Sequence, residues 1–198
     1  RRQSLRWLPF LVSWRMRFLY KFFFNLAGWK INGDIPRHLN HYIIIAAPHS
    51  SNWDFMVGLA TRSILRLKAN FLGKKELFMF PFGILFRKLG GFPVDRKNPG
   101  TLIDDVVHLY KTQPYFVLAL APEGTRKKVD KWKTGFYKIA LKANIPIVMA
   151  GLDYGNKTVF FSAPFTPCGD LKSDAAHINN FYAPLRGKTR NTAPVMLD

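Results

Sequence analysis

The sequence predicts an α/β fold: an αβα sandwich built on a mixed, largely parallel sheet. Two observations carry this. Short apolar runs with no polar interruption recur along the chain, at residues 42–47, 115–120 and 146–151. Strands covered on both faces read in this way. Between them lie segments whose apolar residues repeat at helical spacing, at residues 53–67, 101–110 and 135–143. Alternation of the two patterns is the signature of helices layered on a sheet.

In chain order, residues 1–30 stand apart. They hold seven Lys or Arg and no acid, set among Trp7, Phe10, Trp14, Phe18, Phe22, Phe23 and Phe24. The basic residues break every apolar run, so none reaches the roughly 18 residues of a spanning helix. Arg15, Arg17 and Lys21 equally interrupt any signal-peptide core. The pattern fits a cationic amphipathic helix lying in a membrane interface, against the simpler reading of a helix packed on the domain with a solvated basic edge. Residues 31–198 are expected to form the single catalytic domain. The chain begins on Arg1, so the natural N-terminus is expected upstream.

Residues 29–33 read as a short strand ending at Gly33, and 42–47 as a buried strand. A helix is expected over 53–67 and a short strand at 71–72. The stretch 78–89, broken by Pro81 and Gly83, reads as short helices joined by a kink. A turn and short strand follow over 90–96, a helix over 101–110, and a strand over 115–120 that ends in a tight polar turn at 121–126. A helix at 135–143, strands at 146–151 and 158–162, and a helix over 173–185 complete the domain. The last dozen residues read as a frayed tail.

Composition narrows the partners. Thirty Lys and Arg against twelve Asp and Glu leave a formal charge of +18. Such a surface meets anions: phosphates, anionic lipid or nucleic acid. The single cysteine, Cys168, excludes an internal disulfide and gives poor support for a metal site, and points to a reducing compartment.

Polar clusters sit at strand ends: His49 with Asp54, Asp95 with Arg96, residues 123–126 (Glu123, Gly124, Thr125, Arg126), and the turn before Ile145 and Pro146. Ligands of open α/β sheets bind beyond the carboxyl ends of strands, so such clusters can converge. His49 and Asp54 suit a base and its orienter. Inside one helix, residues five apart point about 140° away from each other, so the pair requires His49 in the turn and Asp54 in the first helical turn. The competing reading makes Asp54 one half of a capping box that begins at Ser51. Arg96 and Arg126 suit a phosphate, and Gly124 allows close backbone approach. A solvated turn and a surface ion pair between Glu123 and Arg126 are the simpler alternatives. The sequence holds no nucleophile elbow, P-loop or dinucleotide fingerprint.

Taken in order, these clusters resemble the motifs of the glycerolipid acyltransferase superfamily, the PlsC-like enzymes. His49 and Asp54 match its His-x4-Asp motif. Residues 90–96 resemble the second motif, 122–126 (Pro-Glu-Gly-Thr-Arg) the third, and 145–148 (Ile-Pro-Ile-Val) the fourth. Residues 133–136 resemble the Lys-x-Gly-x segment that often follows the third. The resemblance covers roughly residues 40–165. It implies transfer of a fatty acyl group from an acyl-CoA or acyl carrier protein thioester to the hydroxyl of a lysophospholipid, foremost 1-acyl-glycerol-3-phosphate, to give phosphatidate. By the same analogy His49 is the general base and Asp54 its orienter. Arg96, Glu123, Gly124, Thr125 and Arg126 shape the acceptor site. No cofactor or metal is implied beyond the thioester co-substrate.

The expected partners are an anionic membrane surface, at the cytoplasmic face of the plasma membrane, and the acyl carrier, with no nucleic acid. Asn52 and Trp53 depart from the commonest form of the first motif, which leaves a lyso-aminolipid, such as lyso-ornithine or a glycine lipid, as an alternative acceptor. A basic nucleic-acid- or membrane-binding module without catalysis is the alternative of a different class.

Overall fold

The run His-Tyr-Ile-Ile-Ile-Ala-Ala becomes the middle of the molecule. In a computed structural model, which describes residues 14–80, 83–94 and 99–189, it forms β2 (His41–Ala47), the fourth strand of seven in the order β1-β7-β6-β2-β5-β3-β4. The other strands are β1 (Lys30–Asn32), β3 (Asn70–Lys74), β4 (Gly91–Val94), β5 (Phe116–Leu120), β6 (Ile147–Asp153) and β7 (Thr158–Phe161). β2 pairs in parallel with β5 on one side and β6 on the other, and β3 and β4 continue the parallel set. β7 pairs antiparallel to β6, and β1 parallel to β7, so two strands at one edge are reversed. The sheet is mixed and largely parallel, as the apolar runs predict.

Alternate residues of β2 feed opposite layers, as the two-residue strand period requires. Ile43, Ile45 and Ala47 enter a core closed by α4 (Pro99–Thr112), α5 (Gly135–Ala143) and α6 (Leu171–Tyr182). Tyr42 and Ile44 face the other side, in a smaller core with Leu67 and Val148. On that side α1 (Trp14–Leu26) and α2 (Trp53–Ile64) pack over β6 and β7 through Phe24, Val57, Ala60, Leu152 and Val159. Ile43 and Ile45 are fully buried, and burial of each stabilises the fold by roughly 1.5–3 kcal/mol.

The departures from expectation have local causes. α2 stops at Ile64 rather than Leu67 because Arg66 adopts a left-handed φ of 56°. α4 starts at Pro99, whose ring suits a first helical position and whose missing N–H is no loss there. A 3₁₀ turn (Lys75–Phe78) ends where the stretch 78–89 begins, and within that stretch Gly83–Lys88 forms α3. α6 begins at Leu171, because Asp170 caps it by accepting a hydrogen bond from the Lys172 amide at 3.1 Å. The cysteine gains a partner at this cap: the Cys168 amide donates to Asp174, which also accepts from the Tyr137 hydroxyl.

The expected frayed tail is overturned in part. Lys188 and Thr189 are hydrogen-bonded to the turn after β2. Of the expected N-terminal segment, residues 1–13 lie outside the described residues, as do 190–198 of the tail. The remainder of the former is α1 and the short loop to β1. No described helix is long and apolar enough to cross a membrane.

Gly33 and Gly58 give opposite expectations. Gly33 has φ of +87°, and a Cβ there would lie 2.5 Å from the Phe161 carbonyl oxygen. Gly33→Ala is therefore expected to destabilise by about 2 kcal/mol. Gly58 lies inside α2 with open space around its Cβ position, so Gly58→Ala is expected to stabilise by up to about 1 kcal/mol. Urea unfolding of the two variants checks both signs.

Candidate active site

Parallel strands bring their carboxyl ends to one edge of the sheet, and two of the four polar clusters are described there. β2 ends at Ala47 and hands the chain to a turn, then to α2. β5 ends at Leu120 and enters the turn with Glu123. β4 ends at Val94, two residues before Arg96; Asp95 and Arg96 themselves lie outside the described residues. The fourth cluster does not join them. The turn before Ile145 and Pro146 leads into β6, so it lies at the opposite end of the sheet, where the Ile43 amide donates to the Pro146 carbonyl at 3.0 Å.

The turn after β2 coils around the Asp54 carboxylate. Asp54 is almost fully buried in the first turn of α2. Its Oδ2 accepts from the amides of Ser50 at 2.6 Å and Ser51 at 2.7 Å, and lies 3.2 Å from His49 Nδ1. Its other oxygen, Oδ1, accepts from the Tyr154 hydroxyl at 2.7 Å. His49 lies in the turn and Asp54 in the helix, as the pair requires. The capping reading is half realised at the same time. Asp54 reaches back to the Ser51 amide, while Ser51 Oγ accepts from the Trp53 amide at 3.2 Å instead of completing the box. One carboxylate therefore closes the helix start and orients the imidazole.

Burial alone would raise the Asp54 pKa. The hydrogen bonds from His49, Tyr154 and the Ser51 and Ser50 amides outweigh it and hold the carboxyl below its ordinary value of 3.8. Asp54 thus stays ionised beside the imidazole. For Tyr154, burial and the adjoining carboxylate both push the phenol upward, so it remains a protonated donor. With Nδ1 directed at Asp54, any proton exchange with a bound molecule would fall to Nε2, and the His49 side chain remains 29% exposed.

Glu123 is the second buried acid of the site. Its Oε1 accepts from the His49 backbone amide at 3.2 Å, tying the β5 turn to the β2 turn across 74 residues of chain. A carboxylate only 2% exposed is not a solvated turn residue. Gly124 has φ of +66°, which favours glycine, and its amide donates to the Ala121 carbonyl at 3.0 Å. Thr125 is half-buried and its hydroxyl accepts from the Lys127 amide at 3.2 Å. Arg126 is exposed in the same turn.

Several residues of this region carried no sequence signal of their own. Tyr154 follows β6, the strand beside β2. Ser50 Oγ accepts from the Lys188 amide at 3.0 Å, and Thr189 Oγ1 donates to the Ser50 carbonyl at 2.9 Å. The Lys188 ammonium lies 4.8 Å from the centre of the exposed Trp53 ring. The adjacency of Tyr154 could have been found by pairing the 146–151 strand with the 42–47 strand. That of the tail had no such cue.

This geometry, a His and Asp pair at the end of a central parallel strand with an acid and an exposed Arg in the next turn, defines a site for base-assisted chemistry on an open edge. The chain belongs to the acyltransferase family, whose model matches residues 30–152. It is 30% identical over 165 residues to a 1-acyl-sn-glycerol-3-phosphate acyltransferase of Streptococcus pneumoniae, covering 78% of this chain and 57% of that protein. It is 34% identical over 110 residues to the protein of the same name from Bacillus subtilis, covering 54% of this chain and 53% of that one. The chain thus spans little more than half the length of these relatives. The crystal structure of the 1-acyl-sn-glycerophosphate acyltransferase PlsC from Thermotoga maritima shares the fold, with a TM-score of 0.54 and 18% identity over 86% of this chain and 77% of that one.

A group whose pKa is lowered in the folded state stabilises the fold at pH above its unfolded value, and that contribution is lost as pH falls through the folded value. Asp54→Asn is expected to reduce stability clearly at pH 6, and the gap to the wild type is expected to narrow as pH falls below the ordinary carboxylate value of 3.8 and through the lower folded value. Urea unfolding over a pH series measures the gap directly.

Proposed function

We propose that the chain catalyses transfer of a fatty acyl group from an acyl-CoA or acyl carrier protein thioester to the hydroxyl of 1-acyl-glycerol-3-phosphate, giving phosphatidate. The observation that carries the reading is the contact between His49 Nδ1 and buried Asp54 at 3.2 Å. The names of the two curated relatives support the choice of acceptor.

The chemistry follows from the arrangement. His49 Nε2 removes the proton from the acceptor hydroxyl as its oxygen attacks the thioester carbonyl. Asp54 stabilises the imidazolium that forms and keeps the ring in one tautomer. The tetrahedral intermediate collapses, the carbon–sulfur bond breaks, and the imidazolium returns its proton to the departing thiolate. The thioester is already activated, so the reaction calls for no metal, no cofactor and no covalent acyl-enzyme. Arg126 and Arg96 are assigned to the acceptor phosphate, Gly124 and Thr125 to the backbone that approaches it, and Glu123 to the placement of His49.

The substrate is a lipid, and the surface suits its collection from an anionic bilayer at the cytoplasmic face of the plasma membrane. Among the described residues, fourteen large apolar side chains are exposed; ten of them lie on α1, α2 and α3, and Met79 and Phe80 lie just after the 3₁₀ turn. These elements share one side of the sheet: Arg17 of α1 donates to Ile64 of α2, and Arg62 of α2 donates to the Leu89 carbonyl just after α3. A one-sided apolar layer on a chain of formal charge +18 fits peripheral binding to anionic lipid. Nucleic acid is not expected as a partner.

His49→Ala is expected to lower turnover by at least about 100-fold while leaving the urea midpoint nearly unchanged. The assay is a panel of lyso-lipid acceptors with acyl-CoA and acyl carrier protein donors, read by product mass. Wild-type-like turnover of the variant would remove His49 as base, and product only from a lyso-aminolipid would replace the acceptor. Phe18, Phe22 and Phe23 of α1 are all exposed. Their joint replacement by Ser is expected to weaken co-sedimentation with anionic vesicles at least about tenfold, without lowering thermal stability. Unchanged binding would return α1 to the role of a packed helix.

A further inference from the structure

We propose that Tyr154 is a positioning residue for the catalytic pair, acting on His49 through the far oxygen of Asp54. The inference rests on the reading of His49 as general base and adds a residue that neither the motifs nor the family match contains. The matched region ends at residue 152, two positions before Tyr154.

The Asp54 carboxylate has two oxygens, and they are not equivalent. Oδ2 meets the Ser50 and Ser51 amides and the His49 ring. Oδ1 accepts from Tyr154 at 2.7 Å, a contact spanning 100 residues of chain. A carboxylate held only on one oxygen can pivot about its Cβ–Cγ bond. A strong donor on the other oxygen removes that freedom and fixes the plane in which Oδ2 faces the imidazole. The direction of the His49 Nδ1–H bond, and with it the aim of Nε2, is then set from behind.

Tyr154 is itself held on three sides. Its amide donates to the Arg186 carbonyl at 2.7 Å. Its ring packs edge-on against Trp29, with centroids 4.9 Å apart. The preceding residue, Asp153, is buried and accepts from the Gly155 amide at 2.9 Å and from the Asn156 side chain at 2.7 Å. The hydroxyl is thus delivered by a rigid strand end. A role confined to stability would lower the urea midpoint when the hydroxyl is removed but leave kcat and the His49 ring untouched.

Tyr154→Phe keeps the ring and deletes the donor. The expected result is a fall in kcat of about tenfold, part of the roughly 10²–10⁴ that a general base contributes. KM for both substrates should stay within about twofold, because the proposed action of Tyr154 runs through Asp54 rather than through either substrate. In ¹⁵N-histidine-labelled protein, the His49 ring N–H signal, assigned by its loss in His49→Gln, should move in the variant.

Tyr110→Phe is the control. It deletes a buried hydroxyl that donates to the Tyr42 carbonyl at 2.9 Å, away from the site. It should cost stability and leave both kcat and the His49 signal unchanged. An unchanged kcat in Tyr154→Phe, or a loss of kcat without movement of the His49 signal, overturns the proposal. If the wild type acylates no acceptor while the His49 signal still moves, the acyltransfer reading fails and the positioning of the pair by Tyr154 stands.

Discussion

The site depends on one carboxylate that cannot be left alone. Asp54 is nearly buried, and an isolated carboxylate out of water is expensive to keep ionised. Four donors meet it: two amides of its own turn, the imidazole of His49 and the hydroxyl of Tyr154. Two of these draw the chain into the coil that precedes α2. The third is the imidazole proposed as the base. The same charge therefore shapes the turn, starts the helix and orients the imidazole, so the helix-cap and dyad readings of the motif were never exclusive.

Much of this was legible in the residues. The continuous apolar runs marked β2, β5 and β6, because strands covered on both faces leave no polar position to blur the pattern. The helix at 135–143 was legible to its ends, with Asn144 in the left-handed conformation after it. Other features depended on tertiary contacts that local chemistry does not encode. Glu123, between Pro122 and Gly124, looked like a surface turn residue. Its burial follows from the neighbouring strand's turn, whose His49 amide needed an acceptor. Lys188 and Thr189 had the composition of a loose tail, yet their partners are the backbone and hydroxyl of Ser50. No periodicity records such a contact.

The fourth motif shows how a segment at the wrong end of the sheet still serves the site. Residues 145–148 begin β6, and their pairing opposite β2 sets Ile43 beside Ile147 and Ala47 beside Gly151. Counting on equally from the Ala47–Gly151 pair, Tyr154 falls level with Ser50, the residue after His49. The register at one end of the two strands therefore decides which residue meets Asp54 at the other. A slip of a single residue would turn every side chain of β6 to the opposite face, and the seven buried positions of that strand forbid it. On the other flank, β5 pairs Leu120 with Ile45 and delivers Glu123 to the His49 amide. His49 is thus located from both neighbouring strands, by its backbone from one side and through the Asp54 carboxylate from the other. The first, third and fourth motifs thus mark ends of three adjacent strands, β2, β5 and β6, whose far ends meet around one imidazole.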